Sequence, residues 1–123
     1  MRYFDRHRLD RVFEPRSIAV VGDKASSGYG WLHRFKGFDG ALYSVHTNPA
    51  SARDIEAMGI ANYRTVLEVP RPLDYVIVNT PRRTAVEIFS HCVEADVGGV
   101  AYFTAGFAEA GVSESDEVVP PES

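Results

Sequence analysis

Cysteine is almost missing from this chain: Cys92 is the single example among 123 residues. An internal disulfide is therefore excluded, and the usage fits a reducing, cytoplasmic setting. Apolar runs are short, none approaching the roughly 20 residues that cross a bilayer. The segment Met1 to Arg16 is charged and lacks the apolar centre of a signal peptide. Long basic runs are also absent and the net charge is -4, so nothing here attracts nucleic acid. The histidines His7, His33, His46 and His91 have no mutual spacing of the kind that, with a carboxylate, holds a metal.

What is present is the composition of a soluble globular domain, 45% hydrophobic and 24% charged. The length allows one core and argues against two. Residues 1–112 are read as that single domain. Arginines crowd the start (Arg2, Arg6, Arg8, Arg11, Arg16) and carboxylates crowd the end (Glu109, Glu114, Asp116, Glu117, Glu122), a pattern expected of two solvated termini. Residues 113–123, with Pro120-Pro121 and few apolar side chains, are expected to be a flexible acidic tail.

Strand and helix signals alternate along the rest. Arg6 to Phe13 is a short helix ended by Pro15, and Ser17 to Val21 is an apolar strand ending at Gly22. A helix follows from Trp31 to Lys36, then a strand from Ala41 to Val45 and a helix from Ala50 to Met58 stopped by Gly59. Ile60 to Tyr63 is a weak strand and Thr65 to Val69 a single helical turn. Tyr75 to Val78 is the strongest strand signal, aromatic and β-branched throughout. Thr80 is expected to cap the next helix with Pro81 at its first position. That helix aligns Ala85, Ile88, Phe89, Cys92 and Val93 on one face and stops at Gly98-Gly99 before a last strand, Val100 to Thr104. Cys92 is expected to pack as a small hydrophobe.

Such alternation predicts an α/β, Rossmann-like three-layer fold with a mostly parallel, roughly five-stranded sheet. Ligands of these sheets sit beyond the carboxyl ends of the strands. Here the strands leave into Gly22 to Gly30, His46 to Pro49, Asn79 to Pro81 and Thr104 to Gly106, which should meet at one edge. The first exit, strand then glycine-rich turn then helix, is expected to offer free backbone N–H groups as a phosphate cradle. Lys24 adds a point charge for phosphate, and His46 leaves the second strand into the cleft as a cofactor contact or polar lining. Tyr29 or Trp31 could stack on an adenine. Arg82 and Arg83 are read as surface arginines, and Asp74 as a turn residue. A dinucleotide site would show G-x-G-x-x-G at this turn and a carboxylate ending the second strand; neither is there.

In their order and spacing, Phe13-Glu14-Pro15-Arg16-Ser17-Ile18-Ala19-Val20-Val21-Gly22, Gly37-Phe38-Asp39-Gly40, Asn48-Pro49, Asn79-Thr80-Pro81 and Gly106-Phe107-Ala108-Glu109 resemble one known family. It is the N-terminal CoA-binding domain of NDP-forming acyl-CoA synthetases, with the alpha subunit of succinyl-CoA synthetase a more distant relative. The resemblance implies coenzyme A or an acyl-CoA as the ligand. It implies that the turn from Gly22 through Lys24, Ala25, Ser26, Ser27, Gly28 and Tyr29 meets the CoA phosphates and adenosine end. Asn48 and Pro49 would border the nucleotide, Asn79, Thr80 and Pro81 would line the pantetheine path, and Thr104, Ala105, Gly106 and Phe107 would close the site near the thiol.

The chain departs from that pattern in two places. Gly22-Asp23-Lys24 stands where the family commonly has Gly-Ala-Ser. The full synthetases also continue into a domain with a phosphorylated histidine and a nucleotide-binding part, whereas this sequence stops soon after Glu109. No histidine here inherits the catalytic role. The expectation is a stand-alone CoA-binding domain without ligase activity of its own, or one component of a split synthetase. Rival readings are an NAD(P)-binding sensor or oxidoreductase-type Rossmann domain, and a degenerate interaction module. A sheet ending at the last strand leaves an edge to cover, so a homodimer or a partner chain is expected.

Overall fold

The computed structural model describes residues 6–103; the expected acidic tail and the segment Thr104 to Phe107 lie outside the described residues. The elements are α1 (Arg6–Phe13), β1 (Ser17–Val21), α2 (Gly30–Arg34), β2 (Ala41–Val45), α3 (Pro49–Ala57), β3 (Ala61–Tyr63), β4 (Tyr75–Val78), α4 (Arg82–Glu94) and β5 (Gly99–Tyr102). Short 3-10 turns cover Ala25–Ser27 and Val66–Glu68. None of the described helices is long and apolar enough to cross a membrane.

The five strands form one sheet in the order β3-β2-β1-β4-β5, and every pairing is parallel. The chain moves outward from β1 to β3, returns to the centre, and moves outward the other way. Right-handed crossovers in opposite directions put helices on opposite faces, and the two core clusters show this. Ile18, Val20 and Ile77 pack with Leu32 of α2 and Ile55 of α3. Ala19, Val21, Val76 and Val78 pack with Ala85 and Cys92 of α4 and with Val66. Central β1 faces both clusters, so all five of its residues are buried, as its unbroken apolar run requires.

Two close approaches join the strand ends. A Cβ on Gly22 would lie 2.5 Å from Thr80 Cγ2 and 2.8 Å from the Asn79 carbonyl oxygen, so only glycine lets the β1 and β4 exits touch. At the other end a Cβ on Gly98 would lie 2.6 Å from the Asp74 carbonyl oxygen.

Several local expectations are corrected. Helix α4 takes Pro81 itself as N-cap, in extended conformation, and no side chain caps it; Thr80 is buried against the Gly22 turn instead. The helix gives way at Ala95, and Asp96 adopts the left-handed turn at φ 56, so Gly98-Gly99 serves close packing rather than the stop. Val93 is 82% exposed and lies outside the core face. Asp74 is more than a turn residue. Its carboxylate accepts from Arg11 Nε at 2.8 Å and from the Arg16 backbone N–H at 2.8 Å, tying α1 and the start of β1 to β4. Arg11 is therefore anchored rather than solvated.

Candidate cofactor cleft

At the carboxyl ends of β1, β2, β3 and β4, on the α4 face, lies an open cleft of about 520 Å³. That is the size range of small-molecule sites. A larger hollow of about 720 Å³ sits at the opposite end of the sheet, around Arg16, Pro72 and Asp74. It lies at the amino ends of β1, β2 and β4, away from the switch point between β1 and β4, and its wall is the α1 anchor.

The cleft is built from one contribution per strand exit. Strand β1 supplies Val21, Gly22 and Lys24, and β2 supplies Val45, His46 and Thr47. Arg64, Thr65 and Val66 come from the β3 exit, and Thr80 from β4. Helix α4 closes the far wall with Thr84, Glu87, Ile88 and His91. Apolar side chains (Val21, Val45, Val66, Ile88) thus lie among hydroxyls and a few cationic or titratable groups, a lining suited to a flat base with attached polar and anionic groups.

Each polar wall is held in place. The Thr65 hydroxyl accepts from the Leu67 N–H at 3.2 Å and lies 3.2 Å from His91 Nδ1, while His91 Nε2 lies 3.8 Å from a Glu87 carboxylate oxygen. The His46 backbone N–H donates to the Tyr63 carbonyl, and its ring Nδ1 accepts from the Asn48 N–H at 3.2 Å. An Nδ1 acceptor means the neutral, Nε2-protonated imidazole. Burial is the main force lowering the His46 pKa; a hydrogen bond with the Asp23 backbone opposes it, Lys24 adds to it, and the Asp23 charge opposes it.

The turn after β1 differs most from expectation. Four of its amides already donate within the chain: Gly22 to Val45, Ser27 and Tyr29 to Lys24, and Gly28 to Ala25. The Lys24 N–H donates to Asp23 Oδ1 at 3.2 Å and the Leu32 N–H to Asp23 Oδ2 at 2.8 Å. Those donors are not free, because tight helical geometry at Ala25–Ser27 turns them inward. Asp23 itself is fully buried.

Of the residues singled out from sequence, Gly22, Lys24, His46 and Thr80 line the cleft. Ala25, Ser26, Ser27 and Gly28 are exposed on the turn outside that lining. Tyr29 is buried in the core on the α2 and α3 side, and its hydroxyl donates to Asp54 at 2.9 Å, so its ring is not presented for stacking. Trp31 packs on Phe103, with ring centroids 4.7 Å apart. Asn48 Oδ1 accepts from the Ala50 and Ser51 N–H groups as the N-cap of α3, with Pro49 as the first helical residue. The Asn79 N–H donates to the Val21 carbonyl, Pro81 caps α4, and Arg82 and Arg83 are exposed. Thr104, Ala105, Gly106 and Phe107 lie outside the described residues.

Sequence reasoning missed Arg64, Thr65, Thr84, Glu87 and His91. Two signals could have found them. Arg64-Thr65 directly follows β3, whose weak strand signal hid its exit. Thr84, Glu87, Ile88 and His91 recur at spacings of three and four, one stripe of a helix beside its core face.

The order 3-2-1-4-5, with a cleft at the switch point, defines a Rossmann-like α/β domain. No family model matches the chain. It is 34% identical over 106 residues, 84% of its length, to the acetate–CoA ligase [ADP-forming] II subunit alpha of Pyrococcus furiosus. It is 30% identical over 107 residues, 85% of its length, to acetate–CoA ligase [ADP-forming] I of Archaeoglobus fulgidus. The chain spans only 22% and 15% of those two proteins. Among solved structures, a conserved hypothetical protein from Pyrococcus furiosus shares the fold, with TM-score 0.59, 23% identity, 80% of this chain and 90% of that one covered. Most of the chain is thus homologous to the alpha-subunit, N-terminal region of ADP-forming acetate–CoA ligases.

Proposed function

We propose that this domain binds coenzyme A or an acyl-CoA in the strand-exit cleft, and that it has no ligase activity alone. The supporting observation is the cleft itself: an apolar floor for a base, hydroxyls from Thr47, Thr65, Thr80 and Thr84, and the Lys24 and Arg64 cations on its walls. The relatives' shared activity adds weight, since both are ligases named for CoA. A dinucleotide is less well served, because His46 rather than a ribose-binding carboxylate follows β2.

A partner chain, or a second copy, covers the outer edge of the sheet in this reading. Strand β5 pairs only with β4 among the described strands, and Val86 and Val93 of the neighbouring α4 are 65% and 82% exposed. An open edge beside apolar side chains is ordinarily covered.

Calorimetry with CoA, dephospho-CoA and NADH tests the binding reading. Heat with CoA at micromolar to millimolar ligand is expected; no heat with CoA, or tighter binding of NADH, overturns it. Light scattering tests the assembly, with a dimer expected. A monomer at high concentration leaves a partner chain as the remaining way to cover the edge.

A further inference from the structure

The sequence presents the turn after β1 as a phosphate cradle, yet in the fold an anion is already there. Helix α2 begins at Gly30 with Tyr29 as its N-cap, whose side chain makes no cap bond and whose hydroxyl is turned to Asp54. The third N–H of the helix, Leu32, would ordinarily go to a Ser, Thr, Asp or Asn at the cap. Here it goes to Asp23 Oδ2 at 2.8 Å, from nine residues upstream. The other carboxylate oxygen accepts from the Lys24 N–H. Asp23 is fully buried, and the nearby Ser27, Gly28 and Tyr29 amides close back on the turn.

A phosphate approaching the same donors would have to displace a buried carboxylate and would be repelled by it. Lys24 and Arg64 stand differently. Both line the cleft, from the β1 and β3 exits, and neither side chain forms an ion pair among the described residues. Among the described residues Glu87 is the only carboxylate of the lining, and it faces His91.

We propose that Asp23 is a specificity-determining residue that occupies the Lys24 and Leu32 amides with its own carboxylate, so that phosphate recognition in this cleft falls to the side chains of Lys24 and Arg64. This rests on the CoA-binding reading for the ligand, though the claim about the turn stands apart from it. Recognition by side-chain cations tolerates variation in phosphate position better than a rigid amide nest does. A cleft built this way therefore selects for anionic charge more than for diphosphate geometry.

The test follows the backbone amide signals of Lys24 and Leu32 by NMR in the wild-type chain. Titration with inorganic pyrophosphate, then with CoA, is expected to leave both amides protected from exchange, because they stay bonded to Asp23. Lys24→Ala and Arg64→Ala are each expected to weaken CoA binding about tenfold, as loss of one charge-assisted contact does. Asp23→Ser should let pyrophosphate bind at least about tenfold more tightly than wild type, by exposing the amides. Loss of exchange protection at Lys24 and Leu32 on adding pyrophosphate to wild type overturns the proposal, as does unchanged CoA affinity in both cation variants. Should Asp23→Ser fail to fold, the wild-type titration decides alone. Should CoA not bind at all, the CoA reading fails while the pyrophosphate arm still judges Asp23.

Discussion

Gly22 and Thr80 meet where the sheet reverses direction: a side chain on Gly22 would begin 2.5 Å from Thr80 Cγ2. Gly22 also sits at φ 82, a conformation that L residues rarely adopt. The contact seats the β1 turn on the β4 exit and shapes the cleft floor. Replacing Gly22 with alanine adds left-handed strain and a clash with the Asn79 backbone. A loss of roughly 2–4 kcal/mol is expected, measured as the change in urea midpoint. A loss below about 0.5 kcal/mol would mean the exits do not touch.

Asp74 makes the second test. Its carboxylate, with a side chain 9% exposed, holds Arg11 at 2.8 Å and the Arg16 N–H at 2.8 Å. The Asp74 N–H in turn donates to Ser17 Oγ at 2.9 Å. Asp74→Ala leaves these donors without their acceptor in a largely dry setting, at a cost of about 2–4 kcal/mol. Hydrogen exchange should show α1 loosening first, since Arg11 then keeps only its bonds to the Leu73 and Asp96 carbonyls. Equal protection of α1 in the variant would contradict this.

Cys92 should be inert in the native protein. It packs in the α4 core, and burial raises its pKa to about 11 from an ordinary 9.0. A thiolate is the reactive species, so labelling with a thiol reagent at pH 8 should be slow until the chain unfolds. The raised pKa has a linkage consequence: the folded state keeps the proton that the unfolded state loses. Stability is therefore unaffected well below pH 9 and declines as pH rises from about 9 toward 11. Fast native labelling at pH 8 would refute the buried placement.

His46 gives the opposite pH slope. Burial lowers its pKa below 6.5 in the folded chain, so the unfolded state binds the proton more readily. The contribution of the neutral imidazole is present above pH 6.5 and is lost as pH falls through the folded value. Denaturation midpoints should drop below pH 6.5 in wild type, and less steeply in His46→Gln. Parallel pH profiles would remove His46 as the cause.

Much of this arrangement was legible because local patterns and global packing agree. The apolar run Ser17 to Val21 can only be a strand covered on both faces, and the periodicity from Ala85 to Cys92 describes the buried face of α4. Alternation of such segments is enough to specify the parallel sheet. Element ends were less legible, because capping depends on what lies nearby in space. Thr80 packs on Gly22 rather than capping α4, and Asp96 rather than a glycine takes the left-handed turn.

For the site, the sequence by itself determined the edge of the sheet where the cleft opens, since strand exits follow from chain direction. It also carried the likeness to the acetate–CoA ligases, through short motifs kept in order. Tertiary structure alone decided which groups are available there. Asp23 looks like a stray carboxylate in a phosphate loop, but nine residues of chain fold back to put the Leu32 N–H on it. Arg64 and His91 are unremarkable in sequence, yet they reach the cleft because β3 and α4 flank the same strand ends. Hydrogen-bond donors are used up by whichever acceptor the fold brings nearest, and no reading of neighbours along the chain can say which that is.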